Sequence, residues 1–251
     1  MPRLNDNTME ENANVGHFGF SGVRMDQLGA SEYTLATIVV DVSGSVASFQ
    51  SELEKCTKEA IKALQYSPRA DNLMVRVIKF ANTPEEVHGF KLLENCQIND
   101  YSGVLSCGGS TACFDASIDA VEGIKNYAKQ LNANDVDVNG IVIVITDGED
   151  NVSKFGSQGV GNAKDSCVKE EALESILTIL VAVNSSSISP TYLDKLEKEG
   201  KFDQLVKLND ASASTLAKLN KFISKSISSQ SQSLGTGGPS QVININGSLT
   251  I

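Results

Sequence analysis

The sequence has no tryptophan, 5 prolines and 2 histidines in 251 residues. It is also short of positive charge: 21 Lys and Arg stand against 31 Asp and Glu, a formal net charge of −10. A chain so acidic has no general electrostatic footprint for nucleic acid or an anionic membrane, so neither is an expected partner. Long apolar runs are missing too. No stretch of ~18 apolar residues exists, which excludes the usual signature of a transmembrane helix. Cysteine is sparse. Cys56, Cys96, Cys107, Cys113 and Cys167 are odd in number and form no Cys-x-x-Cys pair, which argues against a secreted disulfide framework. They read instead as small apolar residues in a reducing compartment. The opening segment 1–16 is polar, without the apolar core of a secretory signal. Together these features set the expectation of a cytoplasmic protein.

What is present is enough apolar residue for a full-sized core, 41% of the chain, and a change of composition along it. Residues 1–33 are polar and rich in Gly and Asn, and read as an N-terminal extension. Residues 34–226 alternate apolar runs with helical patterns, and read as one domain. Residues 227–251 form a tail with no charged side chain. Within the domain, Leu35–Val40, Leu73–Phe80, Ile141–Ile145 and Ile176–Val183 are short β-branched runs, as in strands buried on both faces. Glu86–Leu93 reads as an edge strand and Phe202–Leu208 as a last strand. Between them, Phe49, Leu53, Cys56, Ala60 and Leu64 recur at helical spacing, as do Ala116, Ala120, Ile124, Tyr127 and Leu131. Val168 and Ala172 mark a short helix. Ser189-Pro190 and Gly200 bracket another, and Leu216, Leu219, Phe222 and Ile223 place a final one. Strands alternating with helices predict an α/β fold, with a mostly parallel central sheet flanked by helices on both faces.

In open α/β sheets, ligands bind beyond the carboxyl ends of the strands. Three segments remote in sequence bring oxygen donors to that edge. They are Asp41-Val-Ser43-Gly-Ser45 after the first strand, Cys107-Gly-Gly-Ser-Thr111 before the middle helix, and Thr146-Asp147-Gly-Glu-Asp150 after the most β-branched strand. Alternate residues of an extended segment point the same way, so Asp41, Ser43 and Ser45 can converge, and Gly44 eases the turn between them. Hard oxygen donors without His or Cys suit Mg²⁺, Mn²⁺ or Ca²⁺ better than a thiophilic metal.

These residues resemble the metal-ion-dependent adhesion site of the von Willebrand factor A (VWA) family. The family pattern Asp-x-Ser-x-Ser…Thr…Asp corresponds to Asp41, Ser43, Ser45, Thr111 and Asp147, over roughly residues 34–226. The resemblance implies a Rossmann-like VWA fold. It implies that Ser43, Ser45 and Thr111 bind a divalent cation, Mg²⁺ foremost, while Asp41 and Asp147 act directly or through water. The remaining position would be open to water or to a partner's Glu or Asp. It places the chain nearest the intracellular bacterial or phage members, which often work with AAA+ ATPases of the MoxR kind, with metal chelatases, or within tellurite-resistance and stress clusters, and so implies an ATPase-adaptor role as one expectation.

Other residues read more plainly. Asp115 either supports the site or is simply well placed in a helix's first turn. Glu149 and Asp150 read as a solvated loop, and residues 151–162 as a Gly-rich crossover or a partner contact. Neither His17 nor His88 has ligand or catalytic spacing. No nucleophile–base pair, Gly-x-Ser-x-Gly elbow or phosphate-binding loop is found, so an enzyme is not expected. The alternative function is structural. Phe18, Phe20, Val23, Met25 and Leu28 would form a docking arm. The tail is either a disordered Ser/Gln/Gly stretch or, through Asn246-Gly247, a hairpin that adds to another sheet edge and makes an oligomer by self-association.

Overall fold

The computed structural model describes residues 7–12, 16–170, 173–238 and 240–243. Eight strands form the sheet: β1 (Met9–Asn12), β2 (Phe20–Val23), β3 (Glu32–Asp41), β4 (Leu73–Phe80), β5 (Pro84–Leu92), β6 (Asp137–Thr146), β7 (Ile176–Ala182) and β8 (Gln204–Lys207). Their order is β1-β2-β5-β4-β3-β6-β7-β8. β3, β4, β6, β7 and β8 run parallel, whereas β5 is antiparallel to β4 and β1 to β2. Five helices cover both faces: α1 (Gln50–Gln65), α2 (Cys113–Asn132), α3 (Ser157–Lys169), α4 (Pro190–Glu199) and α5 (Ala213–Thr236).

The pleat sorts each central strand between two cores. In β3, Ala36, Ile38 and Val40 face the layer of α1 and α5, where Leu53, Ile61, Leu64, Leu219 and Ile223 are buried. Leu35 and Val39 face α2, α3 and α4, with Ile124, Tyr127, Val160 and Leu196. Because both faces are covered, β6 is buried from Val138 to Thr146, which is why the sequence runs apolar there without alternation. Each fully buried Leu or Ile contributes ~1.5–3 kcal/mol over an exposed one. Among the described residues no helix is long and apolar enough to cross a membrane.

The structure corrects four expectations. β5 is not an edge: β2 pairs with it in parallel at Gly22 and Phe90, and β1 follows. The tie is polar as well as apolar. The Ser21 amide and hydroxyl both donate to Glu86, at 3.1 and 2.7 Å. Glu86 and Asp119 in turn hold the fully buried Arg76, at 2.6 and 3.0 Å. Gly89 makes room for the crossing, since a Cβ there would stand 2.0 Å from the Ser21 carbonyl oxygen. A four-residue strand containing a glycine, Phe20-Ser-Gly-Val, carries too short a pattern to be read as part of a sheet.

Second, the Gly-rich stretch 151–162 is only half loop, because α3 begins at Ser157. Two of its glycines serve packing: a Cβ on Gly161 would meet the Glu199 carbonyl oxygen at 2.3 Å and one on Gly159 the Ile118 Cδ1 at 2.9 Å. Third, the uncharged tail does not begin as tail. α5 continues past residue 226 to Thr236 and ends on Gly237, a left-handed C-cap with φ 65°. Its polar residues are used inward, as where the Gln230 amide donates to the Gly140 carbonyl oxygen at 3.1 Å. Fourth, β3 and β6 are both longer than their apolar runs. The hairpin expected at Asn246-Gly247, and Ala172 of the expected short helix, lie outside the described residues.

Candidate metal centre

β3 is the first strand of the parallel set, and the chain leaves it in both directions, to β4 on one side and β6 on the other. That makes the β3/β6 junction a topological switch point, where loops diverge and leave a crevice at the carboxyl ends. The register sets Val40 beside Ile145, so Asp41 and the pair Thr146-Asp147 emerge side by side. Residues 43–49 then turn through a short 3₁₀ segment into α1.

The side chains converge. The Asp41 carboxylate is buried and accepts from the Ser43 amide at 2.8 Å and from the Thr146 hydroxyl at 2.6 Å. The Ser43 and Ser45 hydroxyls lie 3.1 Å apart, and that of Ser45 donates to Asp147 at 2.6 Å. Thr111 closes the group from the α2 side. A Cβ built on Gly148 would stand 3.7 Å from its hydroxyl and 3.9 Å from that of Ser45. All five residues singled out in the sequence therefore meet at one edge of the sheet. Thr146, which orients Asp41, was missed; a hydroxyl immediately before Asp147 was the available signal.

The electrostatics follow from two buried carboxylates drawn together among hydroxyls at the sheet edge. Burial pushes the Asp41 carboxyl above its usual range, against the hydrogen bonds from Thr146 and Ser43, and the charge of Asp147 adds to the rise. Burial raises Asp147 as well, opposed by the bond from Ser45. The same pair pushes up the half-buried Cys107 thiol, after burial itself. A divalent cation would relieve this accumulation of negative charge. Three hydroxyls and two carboxylates are a hard oxygen set of the kind that accepts one, so the residues present fit the group. Among the described residues no cluster of three His, Cys, Asp or Glu side chains of metal-binding kind occurs; this centre is hydroxyl-rich instead.

The loop after β6 is more structured than expected. α2 starts after Ala112, which has no side-chain oxygen to cap it, so its first N–H groups need acceptors from elsewhere. Asp150 accepts from Phe114 N at 2.9 Å, and Ser153 Oγ accepts from Asp115 N at 3.0 Å. Asp115 reciprocates, accepting from Lys154 N and Phe155 N at 3.1 Å. Glu149 accepts from Ser189 N at 2.8 Å. Asp115 and Asp150 are thus clamps between loop and helix rather than solvated charges, while Glu149 stays exposed and also ties the loop to the turn at Ser189. His17 pairs with Glu122, and His88 is buried against Tyr101, both away from the site.

No family model and no curated protein matches the chain. Solved structures do. The PilB minor pilin from Streptococcus sanguinis aligns with 89% of this chain and 68% of its own, at 16% identity and a TM-score of 0.55. A variant of that pilin aligns at a TM-score of 0.58 and 15% identity, over 86% of this chain and 66% of its own. Proximal thread matrix protein 1 from the mussel byssus, in a form with a zinc-occupied MIDAS motif (a metal-ion-dependent adhesion site), aligns at 0.50 and 17% identity, over 79% of this chain. The chain spans about two thirds of the pilin and 46% of the byssus protein. At such identities the likeness is one of fold, and the fold is the Rossmann-like, VWA-like α/β architecture that the resemblance implied.

Proposed function

We propose that the protein is a metal-dependent protein-binding module. Asp41, Ser43, Ser45, Thr111 and Asp147 hold one divalent cation, Mg²⁺ in the first instance, and the cation engages an exposed Asp or Glu of a partner. The observation that carries the reading is the convergence of these five side chains, from three remote segments, at the switch point of the sheet. The hydroxyls are neutral, so the donor set under-neutralises a divalent ion and leaves it attractive to an external carboxylate. The VWA-like fold supports the same reading. Both histidines are engaged elsewhere, which favours a binder over a catalyst.

The finer form of the proposal is an adaptor of a MoxR-type AAA+ ATPase in the cytoplasm. It rests on the resemblance to intracellular VWA proteins and on five free cysteines, four of them buried. Affinity purification with Mg²⁺ and with EDTA, on wild type and Asp41→Ala, tests it. A partner retained only by wild type with Mg²⁺ is expected. A partner held equally in EDTA and by Asp41→Ala overturns it.

Self-association is the second reading. The favouring observation is that the chain after α5 returns to the sheet. The Gln204 amide donates to the Ile243 carbonyl oxygen at 3.0 Å beside β8, and Ile243 packs on the core. The mass of the full chain in solution, set against a chain ending at Gly238, decides it. A higher-order species lost on truncation supports this reading, and a monomer in both excludes it.

A further inference from the structure

Thr111 supplies the one oxygen of the proposed centre that arrives on a loop not anchored in its own strand. The loop begins with Gly108 and Gly109, and Gly109 is left-handed at φ 85°, so the segment has little intrinsic stiffness. Something outside it must hold Thr111 in place, and the backbone bonds of the loop identify what. Gly108 N donates to the Val42 carbonyl oxygen, and Gly109 O accepts from Gly44 N, which ties the loop's start to the Asp41 segment. Ala112 N donates to the Ala81 carbonyl oxygen. The two amides between these anchors go to side chains. Ser110 N donates to Asn82 Oδ1 and Thr111 N to Asn151 Oδ1, both at 2.9 Å. Asn151 also returns a bond, its own N–H donating to the Thr111 carbonyl oxygen at 3.0 Å. Residue 151 therefore grips the backbone of residue 111 in both directions.

We infer that Asn151, assisted by Asn82, is a positioning residue that sets the Thr111 hydroxyl against the Asp147 side of the centre. The inference rests on the metal-binding reading above. The choice of amide has a reason. An asparagine oxygen accepts the N–H as a carboxylate would, without adding a third charge beside the two carboxyls of the centre. Asn151 lies four residues after Asp147, so the segment that brings the carboxylate also brings the clamp, and the two move as one. Asn82 does the same from the turn between β4 and β5, and the tight fit there is visible at Gly109, where a Cβ would stand 3.0 Å from Asn82 Oδ1.

The test is Mn²⁺ binding by the full chain, measured by calorimetry and by the loss of free-ion electron paramagnetic resonance signal, together with amide hydrogen exchange of the metal-free protein. Asn151→Ala is expected to weaken Mn²⁺ by ~10-fold or more, the usual cost of losing a group that orients a ligand, and to speed exchange at Thr111. Asn151→Asp keeps an acceptor and is expected to restore protection at Thr111. Asn82→Ala, on an exposed turn, is expected to shift exchange at Ser110 and to weaken Mn²⁺ less. A merely structural role predicts lowered thermal stability without rescue by Asp. Equal Mn²⁺ affinity in wild type, Asn151→Ala and Asn82→Ala overturns the positioning role alone. Absence of Mn²⁺ binding by wild type overturns the metal reading itself, and the positioning role with it.

Discussion

At the scale of single residues, Asp41 sets the chemistry. Its carboxyl is buried beside a second carboxylate, and this outweighs the bonds from Thr146 and Ser43, so its proton affinity in the metal-free fold is raised above that of the unfolded chain. The sign of the consequence is fixed. A group with a raised folded pKa favours the fold fully below its unfolded value, and that contribution is lost as pH rises through the folded value. Metal-free protein should therefore lose this contribution as pH rises from the usual carboxylate range through the raised folded value. Asp41→Asn should flatten that slope, and be no less stable than wild type at pH 7, while losing cation binding. Urea unfolding in EDTA across pH 4–7 checks both. Cation affinity itself should fall with acid, because protons compete for the carboxylates.

His88 behaves in the opposite sense. It donates from Nδ1 to the Gly89 carbonyl oxygen at 2.7 Å and accepts the Tyr101 hydroxyl at Nε2, 2.8 Å away. This assignment follows because a carbonyl can only accept. Burial pushes its pKa down to about 4. The fold must keep it neutral, so stability is complete above ~6.5 and declines as pH falls towards 4, by about 3 kcal/mol in all. His88→Gln should show a shallower acid limb than wild type between those values, measured by urea midpoints. An unchanged limb would mean that the imidazole is solvated.

At the scale of elements, the informative contrast is between what carried a pattern and what did not. β3, β4, β6 and β7 announced themselves because strands buried on both faces are continuous apolar runs. The candidate ligands were legible for a related reason: Asp41, Ser43, Ser45 and Asp147 follow such strands, and Thr111 precedes the apolar-striped helix α2. The clamps were not legible. Asp115, Asp150 and Asn151 act on backbone groups about 40 residues away in sequence, and nothing local encodes that an alanine at the start of α2 must borrow its caps. β2 was hidden likewise, since a four-residue strand carries no periodicity and a buried ion network helps Phe20 and Val23 to hold it. Burial alone would raise the Glu86 carboxyl; the Arg76 guanidinium and the Ser21 bonds outweigh it and hold Glu86 below its usual range. Arg76→Met should leave Glu86 and Asp119 buried without their cation and cost ~3–5 kcal/mol, read as a lowered urea midpoint. Gly89→Ala should act on the β2 side alone. The required shift away from the Ser21 carbonyl should raise hydrogen exchange in residues 20–23, while β3 and β6 remain protected.

At the scale of the whole molecule, the net charge of −10 acquires a local meaning. Most of the acids are solvated, some are clamps, and two are drawn together at the switch point, where a parallel sheet of this order leaves its crevice. The fold brings three loops together there and supplies a hydroxyl-rich, net-negative pocket. A metal-bridged contact with an acidic partner is the use that such a pocket supports. The central claim is that this pocket binds one divalent cation. Calorimetric titration of the full chain with Mg²⁺ and Mn²⁺, alongside Asp147→Ala with its fold verified by circular dichroism, tests it most directly. The account predicts a single saturable site in wild type that is lost in Asp147→Ala. No binding by wild type, or equal binding by both proteins, would contradict it.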